Sequence, residues 1–295
     1  MPVPTGYPPE HHILRDLNLE TETFSESTAH ARLRVNPYIV DDAGGVRIGV
    51  LAILVDAVGG ALAARAVLPD WMATADLTIQ SMAPALGPIV EARASVLRKG
   101  KTTLVVEAGV YCVGDSEEMS NGEATGPVAW ATMTFAILPG RSSMSTINFP
   151  TGAASRWAMT GGEFDQPVVD ALGISVVDAA DGRLSMPVVE YLFNSFQAVQ
   201  GGVMALLADV AGTTALSAGG EPLIVSDLQV AYLALGRTGP IVTRTRVLEA
   251  DGATVGGGAV VELVDEGANG RLATVVNLRA VPKHALFPNP TGTRS

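Results

Sequence analysis

Cysteine and positive charge are both scarce in this sequence, and each shortage excludes something. A single cysteine, Cys112, rules out an internal disulfide framework and suits a reducing cytoplasm. Nineteen Lys and Arg stand against 30 Asp and Glu, a net charge of −11, and no basic run occurs. The electrostatic footprint of a nucleic-acid binder is therefore missing, and partners that need a positive surface are excluded. The histidines, His11, His12, His30 and His284, have no metal-ligand spacing, so no metal site is expected. No Gly-x-Ser-x-Gly elbow is present, which excludes a serine hydrolase. Gly100-Lys101-Thr102 is not a phosphate loop, because Ser95 stands where its first glycine belongs. The opening Met-Pro-Val-Pro-Thr-Gly-Tyr lacks the basic-then-apolar pattern of a signal peptide.

What the sequence does have is a duplication. Gly49-Val-Leu-Ala-Ile-Leu-Val-Asp56-Ala-Val-Gly59 is answered, 153 residues on, by Gly202-Val-Met-Ala-Leu-Leu-Ala-Asp209-Val-Ala-Gly212. Ala75-Asp76-Leu77 likewise pairs with Ser226-Asp227-Leu228, and Gly87-Pro88-Ile89-Val90 with Gly239-Pro240-Ile241-Val242. A repeat this long is one domain per copy. The reading is an N-terminal domain over 1–150, a C-terminal domain over 151–283 and a tail over 284–295, with the boundary in the Ser-, Thr-, Gly- and Pro-rich stretch 139–162. The run from Ile48 to Leu68 is apolar enough to mimic a membrane span, but Asp56 and Arg65 would each cost roughly 2.5–3.5 kcal/mol at a bilayer centre. It is read, like its second copy, as a helix covered on every side, and no membrane association is expected.

Around each helix the pattern is strand-like. Thr28–Val35 alternates as a strand with one wet face, Asn36–Gly45 is a loop, and four strands follow the helix over 73–82, 89–98, 102–113 and 128–138. The second copy repeats the order, with strands near Ile174 and Leu184, a turn at Asp181-Gly182, the helix from Gly202, and strands near Val225, Val242, Val255 and Thr274. One long helix with a run of antiparallel strands is an α+β pattern, with the sheet wrapped around the helix.

The chemistry-bearing feature is the carboxylate inside each apolar helix. Burying an unpaired charge is expensive, so Asp56 and Asp209 need either a partner or a function. The structural alternative is a carboxylate that caps a loop or pairs with an arginine. Gly201-Gly202, at the start of the second helix, leaves backbone N–H groups unshielded, which suits an oxygen gaining negative charge.

Asn194, then Gln200-Gly201-Gly202, then Asp209 resembles the pattern of hotdog-fold acyl-CoA thioesterases of the phenylacetate-pathway type: an asparagine, His-Gly-Gly and a helix aspartate. Gln200 stands where that family has histidine. In the first copy Asp56 matches, while Asp41 replaces the asparagine and Arg47-Ile48-Gly49 replaces His-Gly-Gly. Thr74 fits the family's hydroxyl residue two places before a strand aspartate, and Val225 does not. The Asp-x-Asn-x-x-His signature of hotdog hydratases is missing. The resemblance implies a tandem double hotdog and hydrolysis of an acyl-CoA thioester, with coenzyme A as part of the substrate and no other cofactor. Gly202 and Asp209 lie about 10.5 Å apart along one helix, so one helix cannot supply both donor and base to a single carbonyl. The resemblance supplies the remedy, pairing the donors of one hotdog with the carboxylate of the other.

Two unlike sites are then expected. Site one joins Asn194, Gln200 and Gly201 to Asp56 and Thr74. Site two joins Asp41, Arg47 and Ile48 to Asp209, with Thr213 a turn further along. The catalytic candidates are Asp56, Asn194, Gln200, Gly201, Thr74 and Asp209, and the substrate-binding candidates are Gly202, Gly49, Arg47 and Thr213. The working site is expected on Asp56, with Arg47 as an ion-pair partner of Asp41 or Asp42, and Arg98, Lys99 and Lys101 as a solvated turn. A cytoplasmic dimer or trimer of chains is expected. The rival reading is a non-catalytic acyl-CoA-binding protein that kept the pocket and lost the chemistry, as loss of the histidine would suggest.

Overall fold

The computed structural model describes residues 7–114, 126–139, 155–218, 220, 222–248 and 256–286. In chain order these form α1 (Ile13–Asp16), β1 (Glu20–Thr23), β2 (Thr28–Arg34), α2 (Ile48–Val67), β3 (Trp71–Ser81), β4 (Ile89–Lys99), β5 (Thr103–Val113), β6 (Ala129–Leu138) and β7 (Ser155–Ala158). They continue as α3 (Val168–Ala171), β8 (Ser175–Asp178), β9 (Arg183–Met186), α4 (Gly201–Ser217), β10 (Leu223–Tyr232), β11 (Ile241–Leu248), β12 (Gly257–Asp265), β13 (Arg271–Pro282) and α5 (Lys283–Leu286).

All strands join one antiparallel sheet in the order β7-β1-β2-β4-β5-β6-β3-β10-β13-β12-β11-β9-β8. The order mirrors about the β3–β10 contact, because β2-β4-β5-β6-β3 of the first copy is matched by β9-β11-β12-β13-β10 of the second. The duplication read from the sequence is thus a duplication of structure, and each copy wraps its curved sheet around one long helix, the double-hotdog form of an α+β fold. Two strands were not anticipated. β1 extends the first copy's edge, and β7, inside the stretch read as a linker, pairs with β1 through Glu20↔Ala158 to Thr23↔Ser155. The boundary at residue 150 lies outside the described residues, as do the strand position near Val255 and the tail from 287 onward. The first tail residues, His284 to Leu286, belong to the helical turn α5.

Helix α2 is long and apolar enough by length and composition to cross a membrane, yet 61% of its apolar window is buried inside the protein. It ends at Leu68, whose extended backbone (φ −48, ψ 141) is what a following proline, Pro69, imposes. The two long helices cross closely. A Cβ on Gly49 would lie 2.5 Å from the Leu206 Cα, and one on Gly202 would run into the Ile53 backbone, so each glycine is required by the other helix.

This crossing solves a capping problem. Neither Arg47 before α2 nor Gln200 before α4 caps its own helix with its side chain, and neither helix has an acid in its first turn. The early N–H groups need partners, and the positive end of each helix favours an anion. Asp209 on α4 accepts from Gly49 N–H at 3.2 Å, and Asp56 on α2 accepts from Gly202 N–H at 3.1 Å. Each aspartate caps the helix of the other copy.

Candidate active site

Asp56 projects from the middle of α2 toward the start of α4. One carboxylate oxygen, Oδ2, accepts from Gly202 N–H, and the other, Oδ1, accepts from the Thr74 hydroxyl at 3.2 Å. Thr74 reaches it because β3 carries a bulge between Thr74 and Asp76, which turns the hydroxyl toward the helix. Among the described residues no cation is paired with Asp56. Burial therefore pushes its pKa above the ordinary carboxylate value, while the Gly202 N–H and the Thr74 hydroxyl pull the other way. The side chain keeps a partial opening to solvent at the protein surface. A raised, uncompensated carboxylate is what a general base at neutral pH requires.

Asp209 has the same address and different company. Its Oδ2 accepts from Gly49 N–H and from the Arg47 guanidinium at 3.3 Å, and its Oδ1 accepts from the Thr213 hydroxyl at 3.3 Å. Arg47 does not pair with Asp41 or Asp42, as the sequence suggested. It spans the copies to Asp209 because the N-terminus of α2 abuts α4, and the ion pair joins a partly buried side chain to a buried one, 13% and 3% exposed. Asp41 stays nearby with its pKa raised, by burial first and with a contribution from the Asp209 charge.

The loops before the two helices are equivalent. Asn194 Oδ1 accepts from Phe196 N–H at 2.9 Å and Ala198 N–H at 3.2 Å, as Asp41 Oδ1 accepts from Ala43 N–H at 2.8 Å. The asparagine oxygen is thus spent on the turn, and Asp41 does the same job. Gly202 and Gly49, expected to meet substrate, have given their N–H groups to the aspartates. Gly201 N–H, the first of α4, has no protein acceptor among the described residues. Gln200 is 7% exposed, and its Nε2 has no partner among the described residues.

Two tyrosines near Asp56 were not among the residues singled out in the sequence. Tyr232 and Tyr7 both have their pKa raised, by burial first and then by the Asp56 charge. Tyr7 donates to Phe193 O at 3.2 Å, and so does buried His12 through Nε2 at 2.8 Å, its Nδ1 being occupied by Leu14 N–H. The N-terminal segment is thereby tied to the loop ahead of α4. Trp71 of β3 packs on Phe196 of that loop with ring centroids 5.3 Å apart.

The cavity geometry and the chemistry point to different sites. A cavity of about 220 Å³ opens beside Asp209, lined by Asp41, Arg47, Thr213 and Val225 among others. Room alone does not make a base, however, and a carboxylate held by a guanidinium is a poor one. Val225 adds an apolar wall where the first copy has Thr74. Among the described residues no three His, Cys, Asp or Glu side chains converge as a metal-ligand set. Lys99, in the basic turn, donates to Ala66 O at the end of α2 at 2.6 Å.

Residues 46–118, which carry α2 and β3 to β5, match the family model described as the thioesterase superfamily. No curated protein matches the chain in sequence. Among solved structures, a Lactobacillus plantarum protein provisionally assigned as an oleoyl thioesterase is 10% identical, with a TM-score of 0.57 over 87% of this chain and 96% of that one. An acyl-ACP thioesterase from Bacteroides thetaiotaomicron is 12% identical, with a TM-score of 0.53 over 87% of this chain and all of that one. A Bacillus halodurans protein solved with CoA is 29% identical over 37% of this chain and 66% of that one, with a TM-score of 0.32. The two longer likenesses share the double-hotdog fold. The fold is thus the double hotdog, and its first copy, over residues 46–118, is similar to the thioesterase superfamily.

Proposed function

We propose that the chain hydrolyses acyl-CoA thioesters at one site, to which the first copy contributes Asp56 and Thr74 and the second contributes Gln200 and Gly201. The observation that carries this reading is the unequal company of two equivalent carboxylates, Asp56 without a cation and Asp209 paired with Arg47. Asp56 removes a proton from water as the water oxygen adds to the thioester carbon. Gly201 N–H stabilises the oxygen that becomes negative, and Thr74 holds the carboxylate in place. Collapse of the intermediate breaks the carbon–sulfur bond, and the proton passes from Asp56 to the departing sulfur. Coenzyme A as the carrier rests on the Asn194, Gly201-Gly202 and Asp209 pattern, and a cytoplasmic setting rests on the free thiol of Cys112.

The test is free-thiol release from short, long and aromatic acyl-CoAs by wild type, Asp56→Asn and Asp209→Asn. Loss of turnover by about a thousandfold in Asp56→Asn, with Asp209→Asn retaining it, is the expected result. The reverse pattern would overturn the assignment. The cavity beside Asp209 favours a second reading for that site alone, a place that binds acyl-CoA without cleaving it. Binding with no thiol release by any form of the chain would extend that reading to the whole protein.

A further inference from the structure

We propose that Tyr232 is a catalytic residue of the hydrolysis inferred above, its hydroxyl joining the Gly201 N–H as a donor to the thioester carbonyl oxygen. The inference rests on Asp56 being the base, and it begins with the strand pairing that fuses the two copies. β10 runs antiparallel to β3 with Ala231 opposite Asp76, which brings the last residue of β10, Tyr232, across from the bulge that aims Thr74 at Asp56. Its ring enters the first copy's site from the second copy.

Gly201 shows how near the groups lie. The point its missing Cβ would occupy is 3.0 Å from Asp56 Oδ2 and 3.1 Å from the Tyr232 hydroxyl oxygen. Base and phenol therefore flank the same bare Cα, and a side chain there would fill the gap between them. The Tyr232 hydroxyl oxygen is buried and has no partner among the described residues, and the same holds for Nε2 of Gln200, on a side chain more than nine-tenths buried. Asp56 accepts from Gly202 and Thr74 and from neither of these. Three donors, Tyr232 O–H, Gln200 Nε2 and Gly201 N–H, thus stand at the start of α4 with no acceptor among the described residues. Buried donors are nearly always satisfied, so an arriving acceptor explains them, and a thioester carbonyl supplies one.

The phenol suits a hydrogen-bond donor that never releases its proton. Burial and the Asp56 charge both raise its pKa, so it stays protonated throughout the working range of the carboxylate. As water adds to the carbonyl carbon and its proton moves to Asp56, the carbonyl electron pair settles on oxygen, where Tyr232 and Gly201 hold it. When the carbon–sulfur bond breaks, that pair returns to the carbonyl, and the proton on Asp56 goes to sulfur. The second site has no such group. The residue that ends β3, Ser81, occupies the matching place and donates to Ala83 O at 3.1 Å.

Tyr232→Phe removes the oxygen and keeps the ring, and because the hydroxyl has no protein partner the variant should fold as wild type. Thiol release from aliphatic and aromatic acyl-CoAs should show kcat reduced about 10²- to 10³-fold with KM within about threefold. The carbonyl-labelled stretch of octanoyl-CoA bound to Asp56→Asn should lie at lower frequency than in the Asp56→Asn/Tyr232→Phe double variant. An unchanged kcat together with an unmoved stretch overturns the role of Tyr232 and leaves hydrolysis at Asp56 standing. If wild type releases no thiol, hydrolysis itself fails, and the stretch then decides alone. A shift lost with the hydroxyl sustains Tyr232 as the carbonyl donor, and an unmoved stretch or no binding overturns it.

Discussion

Asp56 and Asp209 sit 153 residues apart on equivalent helices, and each takes one glycine N–H from the opposite helix and one threonine hydroxyl. The backbone treats them alike. They differ through the residue that precedes the opposite helix: Arg47 ahead of α2 reaches Asp209, whereas Gln200, its counterpart ahead of α4, carries no charge to offer Asp56. A duplicated fold needs both aspartates as caps, because the close helix crossing leaves no room for local ones. One copy of that cap has been neutralised into a structural ion pair, and the other has stayed a raised carboxylate beside unused donors. On the proposed reading, capping and catalysis are two uses of one geometry, selected by a single cation.

The most direct way to break the comparison is to give Asp56 the cation it lacks. Gln200→Arg should place a guanidinium against Asp56 as Arg47 stands against Asp209, stabilising the charged form and drawing its pKa down. A base so held should lose about 10³ in kcat, and the acid limb of kcat/KM should move to lower pH with it. In wild type that limb should lie above the ordinary carboxylate value, since the proposed base is ionised Asp56 and its pKa is raised. A pH–rate profile of both forms checks the shift, and an unmoved limb would mean that Asp56 does not set it.

Stability should separate the two aspartates in opposite directions. Asp209→Ala strands a buried guanidinium together with the Gly49 N–H, and breaking such a pair costs on the order of 3 kcal/mol in denaturant unfolding. Asp56 has its folded-state pKa raised, so its contribution is fully present below the ordinary carboxylate value and is lost as pH rises through the folded value. Asp56→Asn keeps an acceptor for Gly202 N–H and removes that loss. Its Tm should therefore equal or exceed wild type at neutral pH, with the gap widening as pH rises across that window. A Tm that falls for both variants alike would assign both aspartates to capping alone.

Much of this was legible in the sequence, and what was not follows a physical pattern. The helices, most strands and the doubling came from apolar runs broken by Gly and Pro, which are local signals. Asp56 and Gly201 stood out as candidates because a charge or a bare glycine is conspicuous against an apolar run, and Thr74 because of its place before a strand aspartate. The strand β7 was missed because four residues in a Ser/Thr-rich stretch carry no periodicity, and only pairing with β1 orders them. Arg47 was given to the nearest acids in sequence, when the crossing of α2 and α4 brings a distant one within 3.3 Å. That Gly202 and Gly49 give their N–H groups to the aspartates was hidden for the same reason, since a cap supplied in trans has no local signature. Tyr232 was invisible as a site residue because it joins Asp56 only through the contact of β3 with β10.

The finest distinction lies between the two threonines. Thr74 on β3 and Thr213 on α4 bond their aspartates at 3.2 and 3.3 Å, yet one serves the raised carboxylate and the other a carboxylate already held by Arg47. Thr74→Val leaves Asp56 with the Gly202 N–H alone, so the carboxylate keeps its cap and loses the contact that fixes its second oxygen. Activity should fall about tenfold, the loss of roughly one neutral hydrogen bond, with the acid limb moving to higher pH because a group that stabilised the charged form is gone. Thr213→Val should leave turnover untouched and lower stability by about 1 kcal/mol, because Asp209 retains two donors and only its last bond is lost. Equal effects of the two substitutions on turnover would show that the two halves share the chemistry, and the asymmetry set by Arg47 would then be one of stability only.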